Sequence, residues 1–410
     1  MNSFILSIAI NSANELYVGG AFTKTAEGVV DISYVTNIVA PGSTNYLPIT
    51  QYKKNDEYIF NYKKHSPLGT GMDNWVYDIA IDSAKNVYAV GNFTSAGGQP
   101  NTLRIAKWTV STSTWSALGT GGINGSVYTI AIASNNNIYV GGGNITLAGG
   151  VAVKNIAIWN GSTWSNVVGG GTGATNNNIY AIAIDSNNNI YVGGDFTSIG
   201  GITANRIAKL SGSTWSALGT GTSDTVTTIA IDSANNLWVG GSFTTAGGLT
   251  ANRIAKYTVS SSTWSAIISG TNGVNNTVNT IAIDSVNNVY VGGNFTTAGA
   301  ISASRIARWG GLSWSALGTG MNNTVNTIAI DSENNVYAGG NYTNAGGVKG
   351  NNYIAKWNGT AWSVVGTGLN NNVYIIQINS ANDVYVGGDF TLAGGVAINR
   401  ICELVIKPYF

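Results

Sequence analysis

Charged side chains make up only 9% of this 410-residue chain, and 19 Lys and Arg against 18 Asp and Glu leave a formal net charge of +1. A nucleic-acid binder needs a basic excess to draw phosphate, so DNA and RNA are not expected partners. There is one cysteine, Cys402, and one histidine, His65. A lone thiol cannot build an intrachain disulfide framework, and its ordinary place is a buried strand position. A lone histidine removes the Cys and His pairs of a zinc site and leaves a serine hydrolase no base but itself. No run approaches the roughly 18 apolar residues of a membrane span, so membrane insertion is not expected. Nor is a leader expected, because Met1 stands seven residues before Ile8 with no basic segment ahead of it.

What fills the chain is a repeat. The stretch 228–248, TIAIDSANNLWVGGSFTTAGG, recurs from end to end, with its Ile-Ala-Ile or a variant starting at Ile8, Ile79, Ile130, Ile182, Ile229, Ile281, Ile328 and Ile376. These eight copies lie 71, 51, 52, 47, 52, 47 and 48 residues apart, so only the first unit carries an insertion. A fixed period of this size means one supersecondary unit per copy, stacked on its neighbours.

Four strands can be read in the fifth unit. The segment 226–231 is dense in β-branched residues and 236–241 follows it across a turn whose Asp accepts backbone N–H groups and whose Asn residues tolerate the left-handed region. A glycine-rich loop then precedes 253–257, RIAKY, and the polar turn SSS precedes 263–268. Helical periodicity is absent, since the apolar runs are short, β-branched or aromatic, and closed by Gly, Asn or Ser. Four strands at a period near ~40–50 residues predict a β-propeller blade. The innermost segment, TIAI, is apolar or small on both faces, as a sheet covered on each side requires. Large rings come later, at Trp115, Trp164, Trp215, Trp264, Trp314 and Trp362, where blades diverge and more volume must be filled. The expected fold is therefore all-β, an eight-bladed propeller of four-stranded antiparallel blades in a single domain, 1–410. Its blades fall at 1–72, 73–122, 123–174, 175–222, 223–274, 275–321, 322–369 and 370–410.

The order IAIDSxNN, VYVGG, RIAKW, STWSALGTG resembles the NHL, WD40 and kelch group of propeller repeats. It is most similar to the bacterial and viral repeats often called delta-60-type, over nearly the whole chain from Ile5 to about Val405. The resemblance implies a propeller, and it implies a ligand face made by the loops from second to third strand and from one blade to the next.

Both ends of the repeat array are irregular. Unit one has an insertion at about 23–64, including TKTAEGVVDISYVTNIVAPGSTNY and the hairpin-like KKNDEYIFNYKK, before the frame recovers at HSPLGTG. That alignment puts His65 in the slot of Trp115, as an outer-strand filler. Lys53, Lys54, Lys63 and Lys64 read as a solvated hairpin. The last unit stops at Phe410 without STWSALGTG, so blade eight is expected to lack its outer strand. Met1 aligns with the loop before an innermost strand, so the N-terminus is not expected to supply the missing one.

Chemistry-bearing residues mostly repeat with the scaffold. Asp82, Asp185, Asp232, Asp284 and Asp331 share one hairpin corner, and one carboxylate per corner makes no calcium loop. HExxH, GxSxG and a GK[ST] phosphate loop are missing, so no catalytic residue, cofactor or metal is expected. Arg104, Arg206, Arg253, Arg305 and Arg400 open the third strands and are expected to bond loop carbonyls or an Asp195-type neighbour. The expected function is a non-catalytic structural or interaction module on a virion or cell surface, binding other proteins through its loop faces. A lectin-like, glycan-binding propeller is the alternative. The candidate contact residues are Asn275, Asn276, Asn322, Asn323, Asn370 and Asn371, whose amides both donate and accept. Exposed aromatics for stacking on sugar rings are not evident in those loops, which favours a protein partner.

Overall fold

Val226–Ile231 and Leu237–Gly241 pair antiparallel across the turn that Asp232 closes. Its carbonyl accepts from Asn235 N–H and its carboxylate from Asn236 N–H, at 2.9 and 2.8 Å, while Asn235 takes a left-handed φ of 61°. Ile254–Thr258 adds to the second strand, and Thr263–Ala266 adds to the third. The same order recurs in seven four-stranded antiparallel sheets. Their innermost strands are Val76–Ile81, Ser126–Ile132, Ile179–Ile184, Val226–Ile231, Val278–Ile283, Val325–Ile330 and Val373–Ile378, which define blades one to seven.

The computed structural model describes residues 5–10, 16–20, 49–54, 57–62, 64–167, 175–350, 352–366 and 368–405. Two compact units divide the chain, Met1–Tyr46 and Leu47–Phe410. In the first, Ile5–Ile10 pairs with Leu16–Gly20 in a two-stranded sheet. The second holds the seven blades and a hairpin of Ile49–Lys54 with Glu57–Tyr62.

The propeller therefore has seven blades, and the expectation of eight is corrected. The count rested on inner-strand copies, but among the described residues the copy at Ile8 pairs only with Leu16–Gly20, in a two-stranded sheet. The blade read as the eighth is not short of a strand either. Lys64–Pro67 pairs antiparallel with Ile401–Val405 and completes Val373–Ile378 and Val384–Gly388 as blade seven. HSPLGTG, read as the end of a first blade, begins in the outer strand of the last. In that register His65 lies opposite Leu404, as Trp215 lies opposite Leu210. Strand exchange from the early part of the chain thus closes the ring.

Neighbouring blades share their cores. One cluster joins Tyr191 and Ile207 of blade three to Val239, Phe243 and Trp264 of blade four. Another joins Tyr385 and Ile401 of blade seven to Val76, Ile79 and Trp115 of blade one, so the closing joint is built like the others. Outer tryptophans also reach back one blade. Nε1 of Trp115, Trp164, Trp264 and Trp362 donates to the carbonyl of Leu68, Leu118, Leu218 and Leu317 at 2.7–2.9 Å. Each such bond is worth about 1 kcal/mol beside the larger gain from burying the ring.

Ring closure by residues 64–67 gives the first prediction. A chain beginning at residue 68 keeps Leu68 but exposes the edge of Ile401–Val405. It should melt at least about 5 °C below a chain beginning at residue 64. Equal melting temperatures in calorimetry would refute this closure.

Candidate functional site: the channel mouth

Each innermost strand carries a bulge after its first or second residue. The register slips between Val76 and Asp78, between Val226 and Thr228, and at the matching place in every other blade. The residue left over is Tyr77, Tyr128, Tyr180, Thr227, Asn279, Asn326 or Tyr374, in blades one to seven in turn. A bulge re-aims its side chain, and all seven of these line a cavity of about 410 Å³ in the central channel.

The lining is divided between two chemistries. In blades four to six, Thr227 donates to the carbonyl of Val278, Asn279 to that of Val325 at 3.1 Å, and Asn326 to that of Val373 at 2.9 Å. Each of these side chains is tied to the next blade. In blades seven, one, two and three the rings meet one another instead. Tyr374 and Tyr77 lie 5.7 Å apart, Tyr77 and Tyr128 5.7 Å, and Tyr128 stacks on Tyr180 at 5.4 Å. Trp75, 41% exposed, sets its ring edge-on to Tyr77 and Tyr374. Burial, then the neighbouring Tyr128 and Tyr374, push the Tyr77 phenol up to about 12, so it stays neutral. At the ends of the arc Tyr374 donates to Asp389 at 3.3 Å and Tyr180 to Asp195 at 3.4 Å.

Asp78 is the carboxylate in the channel wall. Thr129, Thr280 and Thr327 stand at the same strand position, and their hydroxyls accept the N–H of Ile182, Ile328 and Ile376 in the next blade. Asp78 makes the corresponding link to Ile130 N–H at 2.9 Å and also accepts from Ile79 N–H at 2.8 Å. Burial outweighs these bonds and raises its pKa to about 7.

The six asparagines are exposed and lie just before innermost strands, at the same end of the blades as the channel mouth. Asn275 accepts from the N–H groups of Thr296 and Thr297, at 2.8 and 3.0 Å, and donates to the Thr296 hydroxyl. Asn322 does the same with Thr343 and Asn344, and Asn370 with Thr391 and Leu392. Asp73, Asn124, Asn176 and Ser223 hold the same loop elsewhere in the ring. Asn276, Asn323 and Asn371 each accept only from the following N–H among the bonds described, apart from weaker hydroxyl contacts to Thr277 and Thr324. Of the arginines, Arg305 donates to the Asn294 carbonyl at 2.7 Å, and Arg104 and Arg400 reach loop carbonyls at 3.5 Å. The channel tyrosines were missed in the sequence. The available signal was that one position changes from Tyr to Thr or Asn from copy to copy while the residue before it stays Val or Ile.

Among the described residues no group of three or more His, Cys, Asp or Glu is placed to hold a metal ion, and no helix is long and apolar enough to cross a membrane. The chain is similar in structure to the extracellular domain of the BT4673 hybrid two component system from B. thetaiotaomicron, at 14% identity and a TM-score of 0.56 over 84% of this chain. It spans only 40% of that protein. The WD40 β-propeller domain of Doa1 matches at 12% identity and a TM-score of 0.53, over 83% of this chain and 96% of that one. YCF48, solved bound to a D1 peptide, matches at 12% and 0.53, over 88% and 100%. The fold is a repeat propeller resembling the WD40, kelch and NHL kinds. A family model, the Rax2 C-terminal beta propeller domain, matches this propeller over residues 168–276, less than half of the chain. No curated protein matches it.

The raised pKa of Asp78 yields a signed prediction. Its folded value of about 7 lies above the reference of 3.8, so across that window the folded propeller holds a proton that the unfolded chain releases. Stability from this group is greatest at low pH, falls as pH rises through the window, and levels off above it. Asp78→Asn removes the titration, so the melting temperature of the variant minus that of wild type should increase from pH 5 to pH 8. Parallel pH profiles would show that Asp78 does not titrate there.

Proposed function

We propose that this propeller is a non-catalytic protein-interaction module, working at a cell or particle surface or as a secreted domain, and that it docks its partner on the face around the channel mouth. The observation that carries this is a ring of apolar loop tips. The residue after the repeated glycine-rich turn is Val151, Ile202, Leu249, Ile301, Val348 and Val396 in blades two to seven, and every one is exposed or half-buried. Single exposed aliphatics need no explanation, but their recurrence around one face forms a patterned apolar rim. These tips stand on short hairpins such as Thr245–Ala246 with Leu249–Thr250, and the asparagines described above brace the loops. A braced apolar rim favours docking with little ordering cost.

The exposed amides of Asn276, Asn323 and Asn371 lie beside this rim as polar contacts. Asn275, Asn322 and Asn370 serve the face by holding its shape. Supporting the reading, YCF48 carries a peptide on the same fold and the BT4673 domain is extracellular, although at such identities only the fold is shared. The glycan alternative has less support, because the loop tips are aliphatic, with Trp75 the one exposed ring found in the described blade-to-blade loops, and the first Asn of each pair is already bonded within the loop.

Val151→Asp with Leu249→Asp places two charges on the rim without touching the core. Cross-linked capture of a protein partner from the source cells or particles should be lost in the double variant, with melting unchanged within about 2 °C. Retained capture, or saturable binding on a glycan array in place of any protein partner, would overturn the proposal.

A further inference from the structure

We infer that the aromatic half of the channel mouth receives an organic cation, the guanidinium or alkylammonium tip of a basic side chain on the docking protein. This deepens the reading of that face as a docking surface and rests on it for the source of the cation. The cavity itself stands on separate observations.

Trp75, Tyr77, Tyr128, Tyr180 and Tyr374 form an unbroken arc in blades seven, one, two and three, and several rings are tilted rather than stacked flat. Of the rings that line the cavity, Tyr77 meets Tyr374 at 54° and Tyr128 at 59°, and Trp75, outside the lining, meets Tyr77 and Tyr374 edge-on. Tilted rings around a cavity present faces as well as edges to its contents, and the electron-rich face of an aromatic ring attracts a cation. Neutral phenols serve this better than aliphatic side chains because their rings carry the quadrupole. Asp78 is the only acidic side chain among the described residues lining the cavity, carrying its charge above about pH 7, and no lysine, arginine or histidine is among them. Asp389, behind Tyr374, already faces Arg400, which leaves Asp78 as the wall carboxylate without a basic partner in the lining. An anion would meet that carboxylate at close range. A cation would meet both the carboxylate and the ring faces. At about 410 Å³ the cavity holds a side-chain head group with room to spare.

Calorimetric titration of the full chain would use four probes: N-acetyl-arginine amide, N-acetyl-trimethyllysine amide, the neutral N-acetyl-citrulline amide, and methyl glucoside. The cationic probes should bind at least tenfold more tightly than citrulline or the sugar. Tyr77→Ala and Asp78→Asn should each weaken them at least tenfold, while Tyr77→Phe, which keeps the ring, should stay within threefold of wild type. A Tyr77→Ala protein that fails to fold leaves Tyr77→Phe and Asp78→Asn to decide. Equal affinity for arginine and citrulline probes, a preference for the sugar, or no binding of cations at millimolar concentration would overturn the inference. Partner capture separates the two readings. If Asp78→Asn and Tyr77→Ala keep the partner while the rim variant loses it, this inference fails and the docking face stands. If the cationic probes bind as expected but the rim variant still captures its partner, the docking face fails and the cation site stands.

Discussion

The close approach of one blade to the next, made possible by a pair of glycines at the end of the second strand, is the constraint on which the channel depends. A Cβ on Gly240 would sit 2.6 Å from a methyl of Val278 in the following blade, and one on Gly387 would sit 2.7 Å from Val76 across the closing joint. A Cβ on Gly241 would sit 2.0 Å from the Thr225 carbonyl. That carbonyl accepts from Ser242 N–H at 3.0 Å at the edge of the bulge. The first glycine therefore sets how near the sheets stand, and the second makes room for the irregularity that turns one side chain per blade into the channel. Any side chain at either place would push apart backbone or packed branches that have no empty volume to yield.

Blade one is where this constraint is relaxed. Val90 replaces the first glycine and is buried against Val127 and Ile130 of blade two. At the same joint Asp78 replaces the threonine of blades two, five and six as the residue that bonds the next inner strand. Its oxygen stands one bond farther from Cβ than a threonine hydroxyl does, which suits a joint filled by valine rather than glycine. The scaffold departure and the channel carboxylate thus occur at one place.

Much of the fold was legible from residue pattern, because strand length, turn chemistry and the inward-small, outward-large taper all agree. The blade count was not, and the reason is specific. An Ile-Ala-Ile copy followed by VGG encodes two strands, whereas a blade needs four, and the copy at Ile8 is followed by no RIAKW or TWSALG. Two anomalies, a last unit without an outer strand and a stray HSPLGTG before the second copy, were complementary halves of one sheet. Local pattern could identify each half but not their pairing, which spans more than 300 residues, as between Cys402 and Pro67. For the site, amides in exposed loops drew attention because polar loop residues carry function in many folds. Those of Asn275, Asn322 and Asn370 accept the backbone N–H groups of Thr296, Thr343 and Thr391. The channel tyrosines escaped notice because strict alternation assigns Tyr77 to a blade face, and only the bulge, which period-two reasoning does not contain, sends it to the channel.

The charge on Asp78 is the step that packing alone does not account for. Bridging to Ile130 requires an acceptor of a certain reach, and the amide oxygen of asparagine has that reach without a charge. The same strands use asparagine freely, at Asn279 and Asn326, one residue earlier in blades five and six. Placing a carboxylate in the wall instead lifts its pKa to about 7, which means that stability is given up as pH rises toward neutrality. The joints after blades two, five and six make the same link with a neutral threonine, without that cost. A carboxylate set beside aromatic rings in a cavity is a binding-site candidate by its place in the channel as well as by its raised pKa. The charge is explained by what enters the channel more readily than by what builds it.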